Sequence, residues 1–271
     1  MKKSLLSLLA IAPLSHAATY TTSFDAPTYS AGPLSFQDNW LSQDQWQADG
    51  AGNVTTSSGG FIRMQNSTVG HDNSVGSTAS ISSTFTLLGE YDATADAPQI
   101  ANITMDWQEG IFVHGLSDQT DQAAPDLRGS TVGLYFEPSG TADPDTLELR
   151  GAGLTTVSLG SASLYNGHTW TLAVDYTHTG AGSYTVTASL DSLNDAAPAF
   201  TATGTATLGD LAGASLLHGV SQSLPVGGTT GGNRNVYDGI SVSEYSFTGV
   251  PEPSSLLLCG LGALGLLRRK R

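Results

Sequence analysis

Acidic side chains are the first residues of this sequence whose type and spacing could do chemistry. Glu90 and Asp92 are two residues apart, which places both carboxylates on one face of a strand, as the nucleophile and helper of a glycosidase require. No third carboxylate follows at close spacing, because the positions two and three residues after Asp92 hold Thr94 and Ala95. Pro98 follows closely, so the segment is better interpreted as a solvated acidic turn.

Other catalytic patterns are weaker still. Asp106 and Glu109 are three residues apart and would point to opposite faces of a strand unless the chain turns at Gly110. The sequence contains no Gly-x-Ser-x-Gly nucleophile motif, and its glycine-rich segment 228–235 lacks the Lys-Ser/Thr of a phosphate loop. We therefore predict no catalytic residues.

Metal binding has few candidate ligands. The six histidines are scattered without a His-x-x-x-His pair, and the single cysteine, Cys259, lies near the C-terminus, so no zinc site is predicted. Calcium prefers several loop oxygens, which three acidic clusters could supply: residues 71–73, Asp118 with Asp121 and Asp126, and residues 143–145. Turn geometry also accounts for aspartates in loops. Calcium is therefore an open alternative without assigned ligands, and no other cofactor is predicted.

Exposed aromatic rings are the feature most relevant to sugar binding, because pyranose rings stack on them. Trp40 and Trp46 lie in a Gln/Asp-rich segment that is poorly patterned for burial, and Trp107 is the last residue of a strand-like run. We take these three as candidate carbohydrate-binding residues. Trp170, in an alternating run, is expected in the core instead.

The charge distribution excludes one class of partner. The chain of 271 residues has a formal net charge of −14, but most of its cations lie at the two ends. Between residues 19 and 249 there are 23 acids and 4 cations. A surface this acidic repels nucleic acid, so no nucleic-acid partner is expected, whereas neutral polysaccharide is compatible with it.

The N-terminus is typical of a secretory signal peptide. Lys2 and Lys3 precede an apolar run over residues 5–14, and small residues follow at Ala17 and Ala18. We predict a signal peptide over residues 1–18, one body domain over 19–249, and a separate segment over 250–271. The body has no cysteine, so its stability must come from a large hydrophobic core rather than from disulfides.

The body is patterned strand after strand. Residues 169–177 alternate apolar and polar side chains, residues 183–190 do the same, and the glycines between them suit a hairpin. Further strands are predicted at 81–88, 100–107, 110–115, 131–137, 146–150, 154–160, 199–207 and 240–247, with one short helix considered at 208–217. Many short strands separated by turn residues indicate an all-β antiparallel sandwich or jelly roll, flanked by the signal helix and a C-terminal transmembrane helix.

Three stretches of the body resemble a known fold family. SFQDNWLSQDQWQADGAGN (35–53), HTWTLAVDYTHTGAGSYTVTASL (168–190) and NVYDGISVSEYSF (235–247) are similar to the opening, middle and closing strands of bacterial laminin-G/concanavalin-A-like jelly rolls. The resemblance implies the fold and not an activity, although some members of this group are retaining β-glucanases.

The last 22 residues, VPEPSSLLLCGLGALGLLRRKR, contain an apolar run over 254–267. As a helix this run is roughly 21 Å long at ~1.5 Å per residue, short of the ~30 Å of a hydrocarbon core. The terminal cations favour the cytoplasm, which puts the body outside. The arrangement resembles the PEP-CTERM sorting signal, whose features fall on Pro251, Glu252, Pro253, Arg268, Arg269, Lys270 and Arg271. The resemblance implies a Gram-negative-type bacterium, transient anchoring in the inner membrane, processing by an exosortase, and delivery to the cell surface or extracellular matrix.

These observations favour a non-catalytic surface or matrix protein that associates with extracellular polysaccharide or acts in adhesion. Two alternatives stay open. A secreted carbohydrate-active enzyme, a glycoside hydrolase or lyase, could use the same fold and would need two suitably spaced carboxylates. A purely structural spacer would bind no glycan.

Overall fold

The computed structural model describes residues 18–35, 37–42, 46–56, 60–64, 78–88, 110–117, 132–137, 146–165, 167–194, 199–208, 217–222 and 239–250. Within these ranges the chain forms strands and short 3-10 turns, without an α-helix. No helix within them has the length and hydrophobicity needed to cross a membrane. The predicted signal helix and C-terminal helix lie outside the described residues.

Two antiparallel sheets contain the strands. The nine-stranded sheet has the order β14-β13-β12-β7-β16-β5-β4-β2, and β1 also pairs with β16. Its strands are β1 (Ala18–Thr22), β2 (Gly32–Pro33), β4 (Gln47–Ala48), β5 (Val54–Thr56), β7 (Thr78–Leu88), β12 (Thr169–Gly180), β13 (Ser183–Ser192), β14 (Phe200–Thr207) and β16 (Gly239–Val250).

The seven-stranded sheet has the order β11-β10-β9-β8-β15-β6-β3. Its strands are β3 (Trp40–Ser42), β6 (Gly60–Met64), β8 (Gly110–Ser117), β9 (Val132–Glu137), β10 (Thr146–Gly151), β11 (Val157–Ser161) and β15 (Leu217–Gln222). All pairings between these strands are antiparallel, as they are in the larger sheet.

The core lies between the sheets and follows from the period-two pattern. Every second residue is buried from Trp170 to Tyr176 on β12 and from Tyr184 to Leu190 on β13, and the residues between them are partly or fully exposed. Trp170 pairs with Ser192 and Tyr176 with Val186, which places both aromatic side chains on the inner face. Trp170 is fully buried, as its alternating run predicts.

The expected all-β antiparallel sandwich is confirmed by this arrangement. The predicted strands at 81–88, 110–115, 146–150 and 169–177 fall within longer observed strands. The predicted strand at 100–107 lies outside the described residues. In the segment considered as a helix, residues 209–216 also lie outside them, and Leu217 begins β15.

Candidate functional site

The structure corrects the prediction that Trp40 and Trp46 are sugar-stacking platforms. Both side chains are 0% exposed. The Trp40 ring centroid lies 5.1 Å from that of Tyr245 and 5.9 Å from that of Phe24. Its Nε1 donates a hydrogen bond of 3.0 Å to the Tyr29 hydroxyl. Rings enclosed in this way offer no face to a sugar, so both are core residues.

Several other predicted sites lie outside the described residues. They are Trp107, the acid pairs Glu90/Asp92 and Asp106/Glu109, and the three clusters considered for calcium. Their placement stays a prediction. Within the described ranges, no group of three or more His, Cys, Asp or Glu residues is positioned to hold a metal ion.

Asp49 illustrates the structural use of a loop aspartate. Its Oδ1 accepts hydrogen bonds from the backbone N–H groups of Ala51 and Asn53, at 2.7 and 3.0 Å. Its Oδ2 accepts another from Asn53 Nδ2, at 2.9 Å. These bonds, that from the Asn53 side chain first, lower the pKa of the Asp49 carboxyl. The carboxylate thus shapes the turn between β4 and β5.

Ser83 and His114 form a pair that no sequence pattern predicts. Ser83 lies on β7 and His114 on β8, so their 2.9 Å contact between Oγ and Nε2 joins the two sheets across the core. The two residues are 1% and 0% exposed. A serine and a histidine at this distance have the composition of a nucleophile and its base. Burial of both side chains excludes substrate, so the contact is structural.

Burial lowers the pKa of His114 to about 3 and keeps its ring neutral. The unfolded chain takes up a proton on this histidine below about pH 6.5, whereas the folded chain does so only near the lowered pKa. The free energy of unfolding therefore falls as the pH drops between these two values. We expect this residue alone to remove about 2 kcal/mol between pH 7 and pH 5.

Urea unfolding of the wild type and His114→Gln at several pH values measures this contribution. We expect the variant to be less stable at pH 7, but its free energy of unfolding falls less steeply as the pH drops. The difference in free energy of unfolding between the two proteins therefore narrows below pH 6.5 by about 1.4 kcal/mol per pH unit. Parallel curves would show that His114 is protonated in the folded state.

A second polar cluster lies on the outer face of the seven-stranded sheet. Glu148 pairs in register with Tyr135, and Arg150 lies two residues along the same strand. The Arg150 guanidinium carbon is 4.7 Å from the centre of the Tyr135 ring, and its Nη1 is 3.6 Å from Glu148 Oε2. A phenol, a guanidinium and a carboxylate can together bind an anion and move a proton. Here Tyr135 is 4% exposed and the Glu148 and Arg150 side chains are 16% and 22% exposed, so a substrate would reach the last two more readily than the phenol.

The outer face of the nine-stranded sheet carries hydroxyl groups at almost every outward position. We call it the hydroxyl face. Its threonines and serines are Thr201, Thr203, Thr205 and Thr207 on β14; Ser183, Thr185, Thr187 and Ser189 on β13; Thr169, Thr171 and Thr177 on β12; Thr78, Ser80, Ser82, Thr84 and Thr86 on β7; Ser241, Ser246 and Thr248 on β16; and Thr19 and Thr21 on β1.

Hydroxyl groups on this face are aligned across strands by the antiparallel register. Thr86 Oγ1 lies 2.9 Å from Thr169 Oγ1, and Thr84 Oγ1 lies 3.4 Å from Thr171 Oγ1. At the same outward positions of these six strands there are three carboxylates, Asp175, Asp191 and Glu244, and neither a cation nor an aromatic ring. The face is therefore polar, hydrated and without positive charge.

A groove of about 380 Å³ opens on the hydroxyl face. It is lined by residues 21–23, 82–84 and 244–246, together with Thr171. Ser83 and Tyr245 turn their side chains into the core and line the groove with their main chain. The groove thus presents hydroxyl groups and the carboxylate of Glu244.

The end of β16 leads directly into the C-terminal segment. Gly249 pairs with Ala18 on β1, and β16 ends at Val250, immediately before Pro251. Residues 249–271 match the PEP-CTERM protein-sorting motif. The predicted sorting signal is confirmed by this match; residues 251–271 lie outside the part of the chain that the structure describes. The motif implies export, transient membrane anchoring, processing by exosortase and sorting to the surface.

Comparison with solved structures gives distant similarities. Alginate lyase Aly36B has a TM-score of 0.47 and 11% identity, over 87% of this chain and 98% of that chain. The lectin from Bauhinia forficata in complex with GalNAc has a TM-score of 0.43 and 10% identity, over 86% and 98%. The PL-14 alginate lyase from Aplysia kurodai has a TM-score of 0.38 and 11% identity, over 87% and 99%.

With TM-scores this low, none of these similarities bears on what the chain does. No curated protein matches the chain.

Proposed function

We propose that this chain is a non-catalytic surface or matrix protein that associates with extracellular polysaccharide or acts in adhesion. The C-terminal match to the sorting motif is the observation that supports its delivery to the surface. The hydroxyl face supports the polysaccharide partner, since its hydroxyl groups can donate to and accept from the hydroxyl groups of a glycan, directly or through bridging waters. The signal peptide over residues 1–18 and the single body domain over 19–249 belong to the same proposal.

Changing the sorting motif tests the delivery step. We expect Pro251→Ala combined with Pro253→Ala to leave the chain unprocessed in the producing cell, because the motif loses the extended backbone that the prolines impose. Mass spectrometry of the protein from the cell-surface fraction is the measurement. The wild type should lack Arg271 there, and the variant should stay with the membrane.

A strain without exosortase is the matched control and should give the same membrane-bound product from the wild-type gene. Recovery of wild-type protein from the surface with its C-terminus intact would instead mean that the segment is a permanent anchor.

A secreted carbohydrate-active enzyme is the second candidate function. The specific observation in its favour is the cluster of Tyr135, Glu148 and Arg150, which contains groups able to bind an anionic sugar and transfer a proton. Incubating the purified chain with neutral and acidic polysaccharides and following new reducing ends or unsaturated products distinguishes the two functions. Turnover by the wild type that is lost in Tyr135→Phe would overturn the non-catalytic proposal and support the enzyme.

A further inference from the structure

The groove on the hydroxyl face exists because β16 pairs with two different strands along one of its edges. Along one edge, β16 pairs with β5 over residues 240–242 and with β1 over residues 245–249. Residues 243 and 244 lie at the junction, where neither strand pairs with them. On the other edge, β7 continues across the junction without a break. The sheet therefore has a local opening bounded by the end of β1.

A β-bulge at the same place aims a carboxylate into this opening. Val242 pairs with Phe85 and Glu244 with Thr84, so Ser243 is an extra residue in β16. The extra residue reverses the alternation and puts Glu244 on the outer face, where its Oε2 accepts a 3.3 Å hydrogen bond from Thr84 Oγ1. Bulges commonly re-aim a side chain beside a functional site.

We propose that this groove binds a neutral glycan chain, with Glu244 as the residue that selects it. This inference rests on the proposed association with polysaccharide and gives it a location and a ligand class. Glu244 accepts hydrogen bonds from adjacent sugar hydroxyls, and Ser82, Thr84 and Thr171 donate or accept the others. Four strands cross the groove, about 14 Å at ~4.8 Å between strands, which accommodates a short oligosaccharide.

The charge of the groove decides between classes of ligand. Its lining contains a carboxylate and no cation, and the body around it has 23 acids against 4 cations. An anionic polysaccharide would be repelled by both. An apolar ligand or segment would find hydroxyl groups at the outward positions and no exposed ring. A neutral chain of hydroxyl groups is the ligand that matches the lining.

Binding to neutral and acidic oligosaccharides tests the inference. The full chain, kept in a detergent without a sugar headgroup, is titrated calorimetrically with cellohexaose, laminarihexaose and maltohexaose, and with a polygalacturonate oligomer. We expect binding to at least one neutral oligosaccharide and none to polygalacturonate. Glu244→Gln, which keeps the shape and removes the charge, should weaken the neutral interaction about tenfold or more. Thr84→Val combined with Thr171→Val should weaken it by a similar factor.

Two variants on the same face are matched controls. Asp175→Asn makes the same charge change outside the groove, and Thr203→Val removes a hydroxyl two strands beyond β12. Both should bind within about twofold of the wild type, because neither side chain lines the groove. Circular dichroism of every variant checks that the sheet is intact.

The remaining outcomes separate this inference from the proposed function. Neutral binding that is unchanged in both groove variants would place the glycan elsewhere and overturn the inference while leaving the proposed function standing. Preferential binding to polygalacturonate would overturn the neutral ligand class. If neither the neutral nor the acidic oligosaccharides bind, nor the corresponding polymers immobilised in a gel, both the inference and the association with polysaccharide fail.

Discussion

Gly204→Ala is expected to destabilise the protein by about 3 kcal/mol, the upper part of the range for overpacking a well-packed site. A Cβ atom at residue 204 would lie 2.1 Å from the carbonyl oxygen of Gly153 and 2.7 Å from the Cα of Leu154. Both are backbone atoms, so no side-chain rotation can relieve the contact. The backbone of β14 and that of residues 153–154 would have to move apart.

The contact matters because it joins the two sheets at one side of the sandwich. Gly204 lies on β14, at the edge of the nine-stranded sheet, and Leu154 follows β10 of the other sheet. Leu154 and Gly204 form an isolated antiparallel bridge. Glycine at 153 and 204 therefore allows two backbones to approach as closely as the bridge requires. Separating them opens the core beneath.

Three substitutions divide the steric effect from backbone strain. Gly204→Ala adds the steric clash, and Gly160→Ala adds only strain, because residue 160 has a φ of +96° and nothing within 4 Å of the added Cβ. Gly153→Ala combines a φ of +74° with a 2.1 Å approach to the Thr205 carbonyl oxygen. We expect about 1–2 kcal/mol for the strain alone and the largest loss for Gly153→Ala.

Thr203→Ala, at an exposed position of the same strand, is the control and should change the free energy of unfolding by about 0.5 kcal/mol or less. Urea unfolding of each variant gives these values. If Gly204→Ala were as stable as the control, the close approach of β14 to residues 153–154 would not exist in solution.

The strands with regular alternation could be predicted from the sequence because one face of each lies against the core. Residues 169–177 and 183–190 show this, and the glycines between them predict the hairpin that β12 and β13 form. Short strands such as β2 and β4 have two residues each, which is too few for a period to be visible. Their existence depends on pairing with each other and with β5, which no period within two residues can indicate.

The candidate site could be predicted less well. The polar neighbours of Trp40 predict an exposed ring, yet Asp38 accepts hydrogen bonds from the Tyr20 and Tyr29 hydroxyls. Gln37 bonds to the backbone of residues 30 and 33. The sequence shows the hydroxyl face only as a composition rich in threonine and serine. The strand order that aligns these residues depends on pairing between segments far apart in the chain, and no single segment predicts it. Glu244 could not be placed either, because a bulge reverses the face on which the following residues lie.

Trp40→Ala is expected to have the largest effect of the predictions made for side chains, a loss of about 3–5 kcal/mol, as for other buried tryptophans. The indole fills the space between the N-terminal segment and the core, with Tyr20, Phe24 and Tyr245 around it. It also lies on β3 of the seven-stranded sheet, whereas Tyr20 lies on β1 and Tyr245 on β16 of the other sheet. Removing it leaves a cavity between the sheets.

Hydrogen bonds fix the same region. The hydroxyls of Tyr20 and Tyr29 donate to Asp38 Oδ2, at 2.7 and 3.0 Å, and Trp40 Nε1 donates to the Tyr29 hydroxyl. Burial, followed by the neighbouring Tyr29, raises the pKa of Tyr20 well above its usual range, so its hydroxyl stays a donor at any ordinary pH. Asp38 adopts a φ of +45°, a conformation that aspartate tolerates better than most residues.

Gln37 completes the segment. Its Oε1 accepts a 2.8 Å hydrogen bond from the Ser30 backbone N–H, and its Nε2 donates to the carbonyl oxygens of Ser30 and Pro33. Residues 37–40, which belong to the segment that resembles the opening of a jelly roll, therefore hold the chain between β1 and β3 in place. We call these four residues the clasp. Its role is structural, and this explains why a tryptophan flanked by polar residues is buried.

Variants of the clasp separate cavity formation from hydrogen bonding. Trp40→Phe keeps most of the volume and removes the N–H, and Tyr29→Phe removes the acceptor; the double-mutant cycle should give a coupling of about 1 kcal/mol. Asp38→Ala should cost about 2 kcal/mol, because two largely buried hydroxyls lose their acceptor. Asp25→Ala, at an exposed position whose carboxylate accepts from Ser23, is the control and should cost much less.

Hydrogen exchange of the Trp40→Phe variant shows which part of the protein loses stability. The clasp holds β1 against the core. β1 borders the groove at Thr21 and Thr22, and it pairs with residues 245–249 of β16, just before Pro251. We therefore expect the β1 amides to exchange faster in Trp40→Phe than the amides of the β12–β13 hairpin, whose pairing does not involve the clasp. Equal acceleration in both places would mean that the clasp contributes to global stability alone and does not hold the groove's edge.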